Sequence, residues 1–146
     1  MNLLVVDASV AAKWCLPAKG ETLTEDASRL LQRYARGEIR FVVPDLFWAE
    51  LANLLWKAVR QRRCAEADAK QALEAVRGYR LSTVASLAVL DLAFQIALTF
   101  DRTVYDSLYV ALAVDAKAQL ITADQRLANA LAAQLPVKWL GALQQE

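Results

Sequence analysis

The sequence predicts an α/β fold built on a parallel sheet that is buried on both faces. Two observations predict it. Five short apolar runs alternate with seven helical patterns along the 146 residues, as in repeated strand–helix–strand units. The runs LLVV and FVV are apolar without alternation, which suits strands covered on both sides. With 4 Gly, 3 Pro and no repeat, linker or low-complexity segment, residues 1–146 are expected to form a single domain.

The elements follow in order. Leu3–Val6 reads as the first strand, ended by Asp7, with a short helix over Ala8–Trp14 after it. A helix over Thr22–Arg36 leads to a second strand, Arg40–Val43. In PDLFWAELANLLWKAVR, Phe47, Leu51, Leu54, Leu55 and Ala58 repeat at helical spacing, giving a helix over Leu46–Arg62. Ala65–Arg77 is the next helix and Arg80–Thr83 the third strand. Helices over Ser86–Leu98 and Val104–Lys117 precede the fourth strand, Gln119–Thr122. The helix from Val104 is apolar on almost every side and should lie centrally. A helix over Asp124–Gln134 and a strand over Val137–Leu140 complete the set.

Composition excludes whole classes of chemistry. The chain has no histidine, so Ser-His-Asp and Cys-His catalysis and nearly every zinc site are ruled out. Carboxylates, hydroxyls, Lys and Arg must carry any reaction. A net charge of +1 gives no broad basic field, so a nucleic acid would need a local patch. Although 57% of residues are apolar, no run approaches the ~20 a membrane span needs. MNLLVVDAS lacks the basic start of a signal peptide, and the expected location is cytoplasmic. Cys15 and Cys64 read as reduced, isolated thiols.

Four acids stand where burial is expected. In open parallel sheets, ligands bind in the crevice beyond the strand carboxyl ends, where the topology switches direction. Asp7 sits just past one such end and Asp124, in QLITADQRL, just past another. Each can equally be read as the N-cap of the helix it precedes. Glu50, at the edge of an apolar stripe between Trp48 and Leu51, is either partly desolvated or simply exposed. Asp106 opens the central helix, where Thr103 and Asp106 could form a capping box and the helix dipole favours an acid. Asp101 and Asp115 are weaker candidates. Two unit charges ~4 Å apart cost about 4 kcal/mol at an effective dielectric of ~20. Four acids gathered in one crevice would therefore call for a metal, and all-oxygen ligands select hard cations such as Mg²⁺ or Mn²⁺.

LLVVDAS, VPDLFWAELANLL, YDSLYVALA and LITADQRL, in that order, together resemble the PIN-domain family, in particular the VapC-type toxin ribonucleases. The resemblance runs over nearly the whole chain and includes the 18 residues from Asp106 to Asp124. It implies a PIN-like three-layer sandwich whose five-stranded parallel sheet has the order 3-2-1-4-5, with about seven helices. That order would set the strands ending at Asp7 and Asp124 side by side. It further implies that Asp7, Glu50, Asp106 and Asp124 are catalytic and hold Mg²⁺ or Mn²⁺. Ser9 and Thr122 would act as supporting hydroxyls, and Asn53 as a recurring polar position. The implied activity is hydrolysis of RNA phosphodiester bonds. The implied partners are an RNA substrate, a VapB-like antitoxin and a second copy of the chain, with no membrane.

Lys13 and the run Lys57, Arg60, Arg62 and Arg63 are candidate phosphate contacts, or simply a solvated helix face. Trp14, Trp48 and Trp56 could line an antitoxin groove or pack in the core. A non-catalytic PIN-like binding module is the alternative function, although an inactive scaffold has no need of four mutually repelling acids. A phosphoacceptor receiver would need an Asp after its third strand, and LSTVAS offers none. Asp7-Ala8-Ser9 also lacks the second acid of an Asp-x-Asp phosphatase.

Overall fold

The computed structural model describes residues 2–145. Five strands form one sheet: β1 (Asn2–Val6), β2 (Ile39–Pro44), β3 (Ser82–Val84), β4 (Gln119–Thr122) and β5 (Val137–Trp139). Their order is β3-β2-β1-β4-β5, and every neighbouring pair is parallel. Consecutive strand residues face opposite sides of a sheet. Val5 and Val6, Phe41 to Val43, and Leu120 and Ile121 are all buried, so both faces are covered, as the unbroken apolar runs require.

Among the described residues, seven α-helices cover the sheet: α1 (Ala8–Cys15), α2 (Thr24–Ala35), α3 (Leu46–Arg60), α4 (Glu66–Gly78), α5 (Leu90–Phe100), α6 (Val104–Asp115) and α7 (Gln125–Leu131). α6 lies against β1, β2 and β4 and carries α5 on its outer side, while α1 packs against α2, α3 and α4. Every residue of α6 from Ser107 to Ala113 is buried, which accounts for its lack of a polar face. Among the described residues, no helix is long and apolar enough to cross a membrane.

Several boundaries differ from the sequence reading, each for a local reason. The third strand begins at Ser82 rather than Arg80, because Arg80 (φ 57°) takes the left-handed conformation that turns the chain out of α4. The segment expected as one helix over Ser86–Leu98 is a 3₁₀ turn, Ser86–Val89, followed by α5. Asp101 (φ 54°) ends α5 in the left-handed region, which Asp tolerates better than most residues. α2 starts at Thr24, after left-handed Leu23. α3 stops at Arg60, where Arg62 (φ 58°) is left-handed and the amides of Arg62 and Arg63 return to Val59 and Ala58. α7 ends at Leu131, short of the Leu135-Pro136 pair that cannot continue a helix. The last strand stops at Trp139, and Leu140 opens a 3₁₀ helix.

Candidate active site

The carboxyl ends of β1 and β4 are adjacent, and the chain leaves each through an aspartate that caps the next helix. Asp7 Oδ1 accepts the amides of Ser9 (3.1 Å) and Val10 (3.4 Å) at the start of α1. Asp124 Oδ1 accepts those of Arg126 (3.0 Å) and Leu127 (3.2 Å) at the start of α7. The capping role and the crevice position are therefore compatible, since one oxygen does the capping in each case. Hydroxyls bind the two ends together. Ser9 Oγ donates to Asp7 Oδ1 and accepts the Ala123 amide (3.1 Å), while Thr122 Oγ1 accepts the Asp124 amide (3.0 Å).

Two further helices bring acids to the same place. Glu50 comes from α3, whose buried stripe of Phe47, Leu51, Leu55 and Ala58 leaves Glu50 half-buried at its edge. Asp106 lies in the first turn of α6, where Thr103 Oγ1 accepts its amide (3.1 Å). Asp7, Glu50, Asp106 and Asp124 all line one open cavity of about 480 Å³, with Ser9 and Asn53 on its wall. Thr122 is fully buried beneath it. Three of the four acids stand at helix N-termini, whose partial positive charge offsets part of their repulsion.

The electrostatics run through the group as a chain. Asp7 is buried, and desolvation lifts its pKa to about 6 against the hydrogen bonds of Ser9, Thr122 and Val10, with Glu50 adding repulsion. Burial likewise raises Glu50, with Asp106 contributing, and raises Asp106, with Asp124 contributing. Arg102 partly offsets the last of these. Four carboxylates against Lys57 leave the cavity net negative, and carboxylate oxygens are the donors that fit a hard divalent cation. Among the described residues no three acids form a closed ligand cage. Mg²⁺ characteristically needs only one or two carboxylates and keeps its remaining waters, so the donor set still fits.

Tyr109 is the residue that reading the sequence missed. Its hydroxyl donates to Glu50 Oε1 at 2.6 Å, and it lies one turn beyond Asp106 on the same face of α6. The second tyrosine of YDSLY, three residues after the acid, was the available signal. Asn53 shares the cavity, but among the described residues it forms no hydrogen bond to Glu50. Tyr109→Phe should therefore lower activity about 10- to 100-fold by releasing Glu50, and Asn53→Ala should cost less than either Tyr109→Phe or Glu50→Gln. In the RNA hydrolysis that the family resemblance implies, steady-state rates at saturating Mg²⁺ check the order. An Asn53→Ala loss larger than that of Glu50→Gln would reverse the assignment.

The tryptophans divide. Trp14 packs on Phe41 (5.6 Å between centroids) and donates to the Ala27 carbonyl, so it belongs to the core. Trp48 donates to Thr83 Oγ1 (3.0 Å) at the β3 edge. Trp56 is exposed, with the Arg60 guanidinium over its ring.

The family model for the PIN domain matches residues 4–131, a span that holds all four acids. The chain belongs to the PIN-domain family. This PIN domain is 38% identical over 128 residues to a curated protein named Ribonuclease VapC3 from Pyrobaculum aerophilum, covering 86% of this chain and 92% of that one. Its fold is shared by the solved structure of Mycobacterium tuberculosis VapC20, a sarcin-ricin loop cleaving toxin, at a TM-score of 0.65 and 17% identity, over 90% of this chain and 95% of that one. VapBC2 from Rickettsia felis, solved bound to a DNA fragment from its promoter, also matches at a TM-score of 0.65 with 12% identity, over 94% of this chain and 98% of that one.

Proposed function

We propose that this PIN domain is a divalent-metal-dependent endoribonuclease and the toxin of a toxin–antitoxin pair. The observation that carries the reading is the cavity at the β1 and β4 carboxyl ends. There Asp7, Glu50, Asp106 and Asp124 converge, in a chain 38% identical to a protein named as a ribonuclease.

Asp7, Glu50, Asp106 and Asp124 would hold Mg²⁺ or Mn²⁺. Such a cation would supply Lewis acidity toward water and the phosphate oxygens. The protein's own part is placement. Ser9 and Thr122 hold the Asp7 carboxylate while their other hydrogen bonds fix the turn that carries Asp124. Tyr109 orients Glu50. Asp124 is the exposed member of the four. Incubating the purified protein with single-stranded and structured RNA tests the reading: cleavage should require Mg²⁺ or Mn²⁺ and stop with EDTA. Cleavage that continues in EDTA, or no cleavage of any RNA, would overturn it.

A VapB-like antitoxin as partner is supported by the shared fold of the VapBC2 structure. Self-association is supported by α5, where Leu90, Phe94 and Leu98 repeat at four-residue spacing with exposures of 39%, 55% and 65%. Leu87, just before it, is 80% exposed. Apolar side chains aligned on one helix face suit a contact between copies. Phe94→Lys with Leu98→Lys should halve the mass measured by light scattering, whereas an unchanged mass would move the contact elsewhere. Free Cys15 and Cys64, with burial raising the Cys15 thiol to about 11, suit a reducing cytoplasm.

A further inference from the structure

A second cavity, of about 380 Å³, opens directly off the acidic one and shares Ser9, Leu54, Lys57 and Asp124 with it. Its character is the opposite. Lys13 from α1, Lys57 from α3 and Arg63 from the turn after α3 line it, and Glu21 joins the shared Asp124 as its acids. Glu21 Oε1 accepts from Lys13 Nζ at 3.2 Å, and Glu21 Oε2 accepts from Arg63. The pair is largely out of water, with the Lys13 and Glu21 side chains only 10% and 13% exposed. Lys57 forms no ion pair among the described residues. Two carboxylates, Glu21 and the shared Asp124, thus face three cations, and the groove keeps a net positive charge beside a cavity of four acids.

Charge neutralisation would have sent these cations to the acids. Lys13 lies on the helix that Asp7 caps, and yet it pairs with Glu21 on the following loop. The result is two adjoining subsites of opposite sign. An RNA strand needs both, because the phosphate being cut sits at the acids while its neighbours need direct cationic contact. We propose that this groove holds the RNA phosphates next to the scissile bond, with Glu21 as a built-in competitor that occupies Lys13 and Arg63 until a phosphate displaces it. The assignment rests on the ribonuclease reading. A phosphate suits the exchange, since Arg63 can offer it two parallel N–H donors and lysine serves as a point charge. With Glu21 as their resident partner, Lys13 and Arg63 form no ion pair with Asp7 or Asp124 among the described residues, which leaves those carboxylates available to a metal.

The test is fluorescence anisotropy of a labelled single-stranded RNA oligonucleotide with the full chain in EDTA, together with cleavage of the same RNA in Mg²⁺. Lys13→Gln and Arg63→Gln should each weaken binding at least about fivefold and flatten the log–log salt dependence by about 0.7 for each phosphate no longer neutralised. Glu21→Gln should tighten binding about threefold or more and steepen that dependence, since no internal anion remains to be displaced. Lys13→Arg and Arg63→Lys, which keep the charge, should bind within about twofold of wild type. A polyglutamate peptide should bind far more weakly than the RNA. Wild-type protein that cleaves RNA while the glutamine variants bind it as wild type does would overturn the groove and leave the ribonuclease reading intact. Wild-type protein that neither binds nor cleaves RNA would overturn both. Weaker RNA binding by Glu21→Gln would make Glu21 a structural brace, and loss of binding in the charge-keeping variants would make the contacts steric. Polyglutamate binding as tight as RNA binding would make the groove a dock for acidic protein. Each of these three results overturns the proposal.

Discussion

Asp106→Asn and Asp124→Asn should each slow RNA hydrolysis by at least ~10²-fold at saturating Mg²⁺, equivalent to about 2.7 kcal/mol of transition-state stabilisation. Both substitutions spare the fold. Asparagine caps helices about as well as aspartate, so Asn at 124 can still accept the amides of Arg126 and Leu127. The amide of residue 106 keeps its bond to Thr103 Oγ1 whatever the side chain. What changes is charge. Desolvation chiefly holds Asp106 above the usual carboxylate range, and the neighbouring Asp124 raises it further, so the two carboxylates sense one another. If the two carboxylates share a cation, as proposed, removing either one should weaken the hold on it. Single-turnover cleavage of a labelled RNA, with melting curves of each variant, provides the check. A variant that folds normally and cleaves at the wild-type rate would take its carboxylate out of the site.

Asp7→Asn should have the opposite effect on stability in the absence of metal. Burial raises the folded-state pKa of Asp7 to about 6, above its ordinary value of 3.8. Between those values the folded protein holds a proton that the unfolded chain releases, so stability falls as pH rises through the window. The full difference corresponds to roughly 3 kcal/mol, complete only above the folded value and absent below about pH 4. Asparagine keeps the cap and removes the penalty. In EDTA at pH 7 the variant should gain about 1–3 kcal/mol, or roughly 3–10 °C in melting temperature. The gain should shrink toward zero near pH 4. Mg²⁺ should then stabilise wild type by linkage and the variant distinctly less. If Asp7→Asn melts below wild type in EDTA at pH 7, with an unchanged Mg²⁺ increment, Asp7 is a helix cap and nothing more.

The unbroken apolar runs LLVV and FVV made the two central strands β1 and β2 legible, because both faces of the sheet are covered there. In contrast β3, with Ser82 and Thr83 exposed, carries little apolar signal. The alternation with helices made the sheet parallel. Strand order was less accessible, since periodicity carries no information about neighbours, and it came from the resemblance of LLVVDAS, YDSLYVALA and LITADQRL to a family. Position after a strand is also not enough to mark a site. Asp45 follows β2 much as Asp7 follows β1, yet it accepts the amide of Ser86 and lies outside the acidic cavity. Tyr109 was hidden for a different reason: on a helix apolar all round, a tyrosine counts as core until its hydroxyl is seen to meet Glu50. The Lys13–Glu21–Arg63 cluster joins residues from three segments, and no local pattern predicts it. The third strand shifted because an arginine, rather than a glycine, turns the chain at position 80.

Binding of Mn²⁺, read as the loss of its free-ion electron paramagnetic resonance signal, tests the metal centre most directly. Wild-type protein at pH 7.5 should sequester Mn²⁺, and Asp106→Asn should bind it at least about tenfold more weakly, with unlabelled Mg²⁺ competing in the wild type. Equal Mn²⁺ binding by wild type and by folded Asp106→Asn, or no binding by wild type at all, would contradict a metal held by these carboxylates.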